Sequence, residues 1–352
     1  MGNSEEYDQF LKYSKDIGLD ATMVQAAGGN TSIKLDDIMW VKASGKWLMN
    51  SQTEELMVPV RISKIKNFLE NSNSIESDLQ KSIDLSLSPK GLRPSVEAPI
   101  HAVLDFKFVF HTHDININAL AVQKNSRQIF EKALSGLNWK FIPYVKPGIE
   151  LSRQLLAIKS HTDNIFILEN HGLVICGHNL NEIKKLIAEV RLRLKTKINK
   201  PLIIEPEHLI HSKINLKNSG YSFCDDKFIN SLAFYQPWIE KLSKGVVLPD
   251  FLIFLGPNFV VLNHNDKEVF NKLKKLSDVP LPFNSFVILA NNSVLIRDDA
   301  LKGTIEIAQS VYELMCRIPD TADLKYLNEK QIGELVNWEA EHYRQKLNKS
   351  NI

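Results

Sequence analysis

A chain of 352 residues with 44% hydrophobic residues is long enough for about two domains and a sizeable core. A net charge of +2, with lysines and acids interspersed and no basic run, excludes a nucleic-acid partner and a charged membrane partner. No apolar run approaches a membrane span, and no signal-peptide core follows the polar stretch Met1 to Asp8. Cys176, Cys224 and Cys316 are odd in number and scattered, which reads as reduced thiols and a cytoplasmic protein.

Glu5 to Asp16 has helical spacing. Gly28-Gly29-Asn30-Thr31-Ser32 follows as a small-residue turn. Its backbone N–H groups and short side chains suit an anion, and equally suit a simple connection between a helix and a strand. Met39 to Lys42 reads as a strand ending in a second small turn, Ala43-Ser44-Gly45, and Val58 to Ile62 as another strand. The Ser-, Asn- and Asp-rich stretch 71–91 reads as a helix followed by an exposed loop. Ser95 then suits a helix N-cap, with Glu97 in the first turn and His101 one turn on. A carboxylate there is explained by the helix dipole alone, and the pair by packing.

Phe106 to Phe110 alternates as a strand that runs into His111-Thr112-His113. Residues two apart share a face, so His111 and His113 project together, with Thr112 and the three phenylalanines on the other side. Two converging imidazoles can fill two corners of a tetrahedral zinc site, or merely end a strand. Helices are expected over Ile115 to Leu120, Ser126 to Leu134, Ile149 to Ser160 and Asn181 to Lys197. Strands are expected at Phe141 to Tyr144, Asn164 to Leu168 and Leu173 to Cys176, with Glu169-Asn170-His171-Gly172 as the turn between the last two.

A boundary is expected around Pro201 to Ser219. Beyond it, Phe251 to Leu255, Val260 to Leu262, Ser285 to Ala290 and Val294 to Ile296 read as strands. Asp266 to Leu276, Ala300 to Met315 and Glu329 to Lys346 read as helices. His208, His211, His264 and His342 show no metal-ligand spacing, so this part reads as a supporting α/β unit with a helical tail.

Five short motifs now stand in one order: Gly28 to Ser32, Lys42 to Gly45, Pro94 to Glu97, His111 to His113, and Glu169 to Gly172. Together they resemble the class II aldolase/adducin family over roughly residues 5 to 205. The resemblance implies a class II aldolase-like α/β/α fold with a largely antiparallel central sheet, in a catalytic domain over 1–205. A smaller accessory α/β domain over 206–352 would follow. It further implies Zn2+, or another divalent transition metal, on His111, His113 and His171, with Glu97 as the catalytic acid/base. Gly29, Asn30, Thr31, Ser44, Gly45 and Ser95 would bind the substrate's phosphate.

Leu248 to Pro257 and Tyr326 to Arg344 resemble the aldolase portion of bifunctional rhamnulose-phosphate aldolase/alcohol dehydrogenase proteins. No Gly-x-Gly-x-x-Gly follows a strand, so dehydrogenase activity is not expected. The expected activity is metal-dependent cleavage of a ketose 1-phosphate or related sugar through a metal-stabilised enediolate, by a homo-oligomer such as a tetramer. Epimerases, dehydratases and decarboxylases use the same residues, and adducin-like members use the fold without catalysis. One departure bears on the substrate. Ser95 is followed by Val96, where simpler sugar-phosphate aldolases offer two adjacent hydroxyl residues, which leaves phosphorylation of the substrate open.

Overall fold

The computed structural model describes residues 4–71, 73–88, 91–199, 203, 215–265, 268–281 and 283–338. His208, His211 and His342, most of the expected boundary segment and the end of the expected final helix lie outside them. Among the described residues, the contacts divide the chain into two units: one up to Ala121 with Asn125–Lys195, the other Val122–Lys124 with those from Thr196 to Trp338.

The first unit is built on a seven-stranded sheet in the order β3-β2-β1-β4-β7-β6-β5. The strands are β1 (Asn30–Leu35), β2 (Ile38–Lys42), β3 (Met57–Arg61), β4 (Phe108–Thr112), β5 (Trp139–Ile142), β6 (Ile165–Leu168) and β7 (Gly172–Gly177). Every pairing is antiparallel except β5 with β6, so the expected largely antiparallel sheet is present. Helices α1 (Ser4–Leu19), α4 (Ile115–Ala121), α5 (Ser126–Ala133) and α7 (Leu180–Arg193) contribute to the core cluster on one face. Helices α2 (Ile62–Glu70), α3 (Ala98–Val103) and α6 (Ile149–Ile158) contribute to a second cluster on the other.

The alternation of β4 serves both layers. Phe108 and Phe110 pack on the α1 side, where Phe10 meets them at ring-centroid distances of 6.2 and 5.9 Å. Val109 belongs to the α3 side, and the side chain of His111 follows it there. Phe106 departs from the expected alternation. The strand begins at Phe108, so Phe106 sits in the bend before it, with the α3-side cluster and 4.9 Å from the ring of His178. The helix expected within 71–91 instead precedes that stretch as α2, and among the described residues only a 3-10 helix, Glu76–Ser82, falls inside it.

The second unit holds a four-stranded sheet, β8-β11-β10-β9. Its strands are β8 (Tyr221–Phe223), β9 (Val260–Asn263), β10 (Phe286–Ala290) and β11 (Ser293–Arg297). Helices α8 (Lys227–Ser231), α9 (Gln236–Leu242), α10 (Pro249–Leu255), α11 (Val269–Ser277), α12 (Thr304–Met315) and α13 (Glu329–Val336) complete it. Phe251 to Leu255, expected as a strand, is helix α10. Pro249 opens it, Gly256 at φ 110° ends it, and all seven residues are buried. A short helix buried all round shows no 3.6-residue period, so its apolar run looks like a core strand. No described helix is long and apolar enough to cross a membrane.

Candidate metal and acid/base site

Three neighbouring strands supply the site. β1 and β4 pair so that Asn30 stands opposite His111, and β4 pairs with β7 so that His111 stands opposite Val174. Cross-strand partners project from the same face, which puts Asn30 beside His111. His113 follows the end of β4. Asp114, fully buried, then starts α4 by accepting from the backbone N–H of Asn116 and Ile117 at 2.9 and 3.2 Å. His171 sits in the tight turn joining β6 to β7, where Asn170 takes φ 53° and the His171 N–H bonds back to the Leu168 carbonyl. An Asn tolerates that left-handed conformation better than most residues.

The three imidazoles converge. Their candidate ligand nitrogens all lie within 4.8 Å of one another, and all three residues are buried. His111 Nδ1–H donates to the Leu173 carbonyl at 3.1 Å, which leaves the Nε2 lone pair facing inward. His111 Nε2 and His113 Nε2 are 3.1 Å apart. A tetrahedral zinc with bonds near 2.05 Å separates its ligand nitrogens by about 3.3 Å, so the spacing fits a shared cation. The triad can therefore hold a metal.

Glu97 closes the remaining side. It is the residue that begins α3 and is 6% exposed. Its Oε2 lies 3.4 Å from His111 Nε2, and its Oε1 lies 3.3 Å from His171 Nε2. Asn30 Nδ2 donates to Oε2 at 2.9 Å, whereas Oε1 has no hydrogen-bond partner among the described residues. Burial pushes the carboxyl upward, but the electrostatic pull of the His111, His171 and His113 rings and the Asn30 hydrogen bond outweigh it and hold it down at about 2. With neutral, metal-bound imidazoles, the cation itself would favour the ionised carboxylate in the same way.

Gly29, at φ 59°, has no room for a side chain, since a Cβ would lie 2.8 Å from the His111 carbonyl oxygen. Ser95 Oγ accepts from Asn30 Nδ2 at 3.2 Å and from the Glu97 N–H at 3.3 Å. The Ser44-Gly45 turn is tied to the same segment: Ser44 N–H donates to the Arg93 carbonyl, and Ser95 N–H to the Lys42 carbonyl, each at 2.9 Å. Thr31 does not join this group through its side chain. It faces the other side of β1 and bonds Ser14 Oγ at 2.8 Å.

Three further residues support the site. Lys42, 2% exposed, donates to the carbonyls of Ala27 and Lys46 at 2.7 and 2.6 Å, and so ties the two glycine-containing turns together. Glu169 accepts from the Tyr144 N–H at 3.0 Å. His101, fully buried on α3, bonds Asn30 Oδ1 and, at 2.7 Å, Ser32 Oγ. The one sequence signal for His101 was its spacing of four from Glu97, which says nothing of a partner on β1. His161 and His178 are exposed and lie outside the group.

A mixed sheet carrying three histidines and a buried carboxylate at adjoining strand and helix ends defines a candidate metal-assisted acid/base centre. The chain belongs to the class II aldolase and adducin N-terminal domain family, whose pattern matches residues 8–197. It is similar to the Bacillus subtilis protein named uncharacterized oxidoreductase YuxG, at 29% identity over 183 residues, 48% of this chain and 26% of that protein. The chain thus spans about a quarter of that relative's length. It is also similar to methylthioribulose-1-phosphate dehydratase of Citrobacter koseri, at 24% identity over 48% of this chain and 86% of the enzyme. Among solved structures, the N-terminal class II aldolase domain of a conserved Thermoplasma acidophilum protein shares 25% identity at a TM-score of 0.48, covering 55% and 94% of the two chains.

Proposed function

We propose that this chain is a zinc-dependent carbon–carbon lyase of the rhamnulose-1-phosphate aldolase type. It would cleave a ketose 1-phosphate, or a related sugar, into a three-carbon ketone and an aldehyde. The observation that carries the reading is the asymmetry of Glu97: Oε2 is held by Asn30, while Oε1, without a hydrogen-bond donor, lies beside His171. The family match over residues 8–197 supports a catalytic domain there, with the remainder as an accessory domain. The resemblance of Leu248 to Pro257 and Tyr326 to Arg344 supports a rhamnulose-1-phosphate aldolase-like class label.

His111, His113 and His171 would hold the zinc, which when bound supplies Lewis acidity toward a carbonyl oxygen and its neighbouring hydroxyl. Glu97 Oε1 would deliver a proton to the ketone fragment's carbon as the C3–C4 bond breaks, and the proton released by the C4 hydroxyl would return through solvent to reprotonate Glu97. Asn30 acts on the substrate indirectly, because both its amide hydrogens are spent on Ser95 and Glu97. Ser95 Oγ already accepts two N–H bonds, so its own hydroxyl proton is the donor left for the substrate's anionic end. The backbone N–H groups of Gly29 and Gly45 would complete that end by positioning.

A dehydratase acting on a ketose 1-phosphate is the second reading, favoured by the similarity to methylthioribulose-1-phosphate dehydratase. One assay separates the two. Zinc-loaded protein is given a panel of ketose 1-phosphates and their unphosphorylated forms, and the products are analysed for carbon–carbon cleavage and for water loss. Release of dihydroxyacetone phosphate that disappears in Glu97→Gln supports the lyase. Water loss without cleavage assigns the dehydratase. Neither product at full zinc occupancy overturns both.

A further inference from the structure

We propose that His101 is the positioning residue for Glu97: it fixes the Asn30 amide in the orientation that presents N–H to the carboxylate, leaving Oε1 as the proton-carrying oxygen. The inference rests on the acid/base reading of Glu97 and assigns a part to a histidine outside the triad.

The donors and acceptors admit one direction. An ionised carboxylate only accepts, so the amide face turned to Glu97 Oε2 is Nδ2, at 2.9 Å. Asn30 Oδ1 then faces His101 Nε2, and because Oδ1 only accepts, Nε2 carries a proton. A neutral imidazole has one N–H, which leaves Nδ1 as an acceptor for the Ser32 hydroxyl at 2.7 Å. The chain therefore runs from Ser32 O–H to His101, from His101 Nε2–H to Asn30, and from Asn30 N–H to Glu97 and Ser95. Its members come from β1, α3 and the segment before α3, and all are buried. Burial first, with His111 and Lys34 on the same side and Glu97 opposing, lowers the imidazole to about 3, in line with the neutral ring that the hydrogen bonds require.

Without the Nε2–H donor, the Asn30 amide can turn over and offer an oxygen to the carboxylate. Glu97 would then lose its anchor and Oε1 its defined direction. Misplacing a reacting group in this way costs rate more than substrate binding.

The test has two parts. In zinc-loaded wild-type protein labelled with 15N-histidine, NMR should show His101 with its proton on Nε2 and a bare Nδ1 throughout the neutral pH range. The Asn30 side-chain amide protons should exchange slowly in the wild type and in His101→Gln, which keeps a donor, and rapidly in His101→Leu. In the assay above, His101→Leu should keep its zinc and KM but lose kcat by about tenfold to a hundredfold, with much of the loss restored in His101→Gln. An Nδ1–H tautomer or an imidazolium at His101 overturns the proposal, as does wild-type kcat in His101→Leu. If His101→Leu fails to fold, the tautomer and amide exchange of wild type and His101→Gln decide. Absence of any turnover in wild type would sink the lyase reading, whereas the NMR result still decides what His101 holds.

Discussion

Asn30 and His111 face each other across β1 and β4, so one antiparallel register sets an amide that holds Glu97 beside an imidazole that faces the same carboxylate. A slip of one residue would turn one of the two strands over and carry its side chain to the opposite face of the sheet, away from the other. The register, rather than any single loop, is what assembles the site.

From this arrangement, metal and proton transfer should separate by mutation. His171→Ala or His111→Ala should lose zinc and turnover together, as read by metal analysis of purified protein. Glu97→Gln should keep zinc and lose about 100- to 10,000-fold in turnover. Zinc lost from the Gln variant would instead make Glu97 mainly a ligand.

Gly172 should tolerate no side chain. A Cβ there would lie 2.4 Å from the Thr112 carbonyl oxygen, 3.1 Å from His111 Cε1 and 3.3 Å from His113 Cδ2. Backbone cannot yield cheaply, so Gly172→Ala should destabilise the fold by about 1–3 kcal/mol and lower zinc affinity. Denaturant unfolding and a zinc titration would show this, and unchanged values in both would contradict it.

Arg191 on α7 supports the segment that carries His113. Its Nε lies 2.8 Å from the buried Asp114 Oδ2, and its other nitrogens reach Asp20 Oδ2 at 3.0 Å and Thr22 Oγ1 at 2.6 Å. Burial raises the Asp114 carboxyl against the pull of Arg191 and the N–H groups of α4. Removing the guanidinium leaves a carboxylate without its cation, which costs about 3 kcal/mol. Arg191→Ala should therefore lower the unfolding midpoint and weaken zinc retention, whereas Arg193→Ala on the exposed side of α7 should do neither.

The pH dependence of stability carries a mark of Lys34. Burial pulls its ammonium down to about 7 from 10.5, against the raising effect of Cys176 and Asp105. The folded chain releases this proton first, so between about 7 and 10.5 the unfolded state binds more protons and stability rises with pH. The penalty is fully present below that window and relieved above it. Denaturant unfolding of wild type and Lys34→Met across the window should show the gain in wild type alone, and parallel profiles would contradict it.

Much of the fold was legible because local patterns set it. The apolar alternation of Phe108 to Phe110, the turns at Gly28-Gly29 and Asn170, and the amphipathic α7 each carry their own signal. Helix α10 was not legible, because burial on every side erases periodicity. The five motifs that meet at the site lie far apart in the chain, and only their order, not their spacing, hinted at one site.

By itself, the sequence determined which residues could do chemistry: three histidines whose neighbours place them at strand ends and turns, and a glutamate at a helix start. The tertiary structure decided what they do to one another. It turned Thr31 away to Ser14, joined Asn30 to Glu97, and gave Asn30 a buried histidine to lean on. Hydrogen-bond direction depends on groups brought together from β1, α3 and β4, and no periodicity in the chain encodes which donor meets which acceptor.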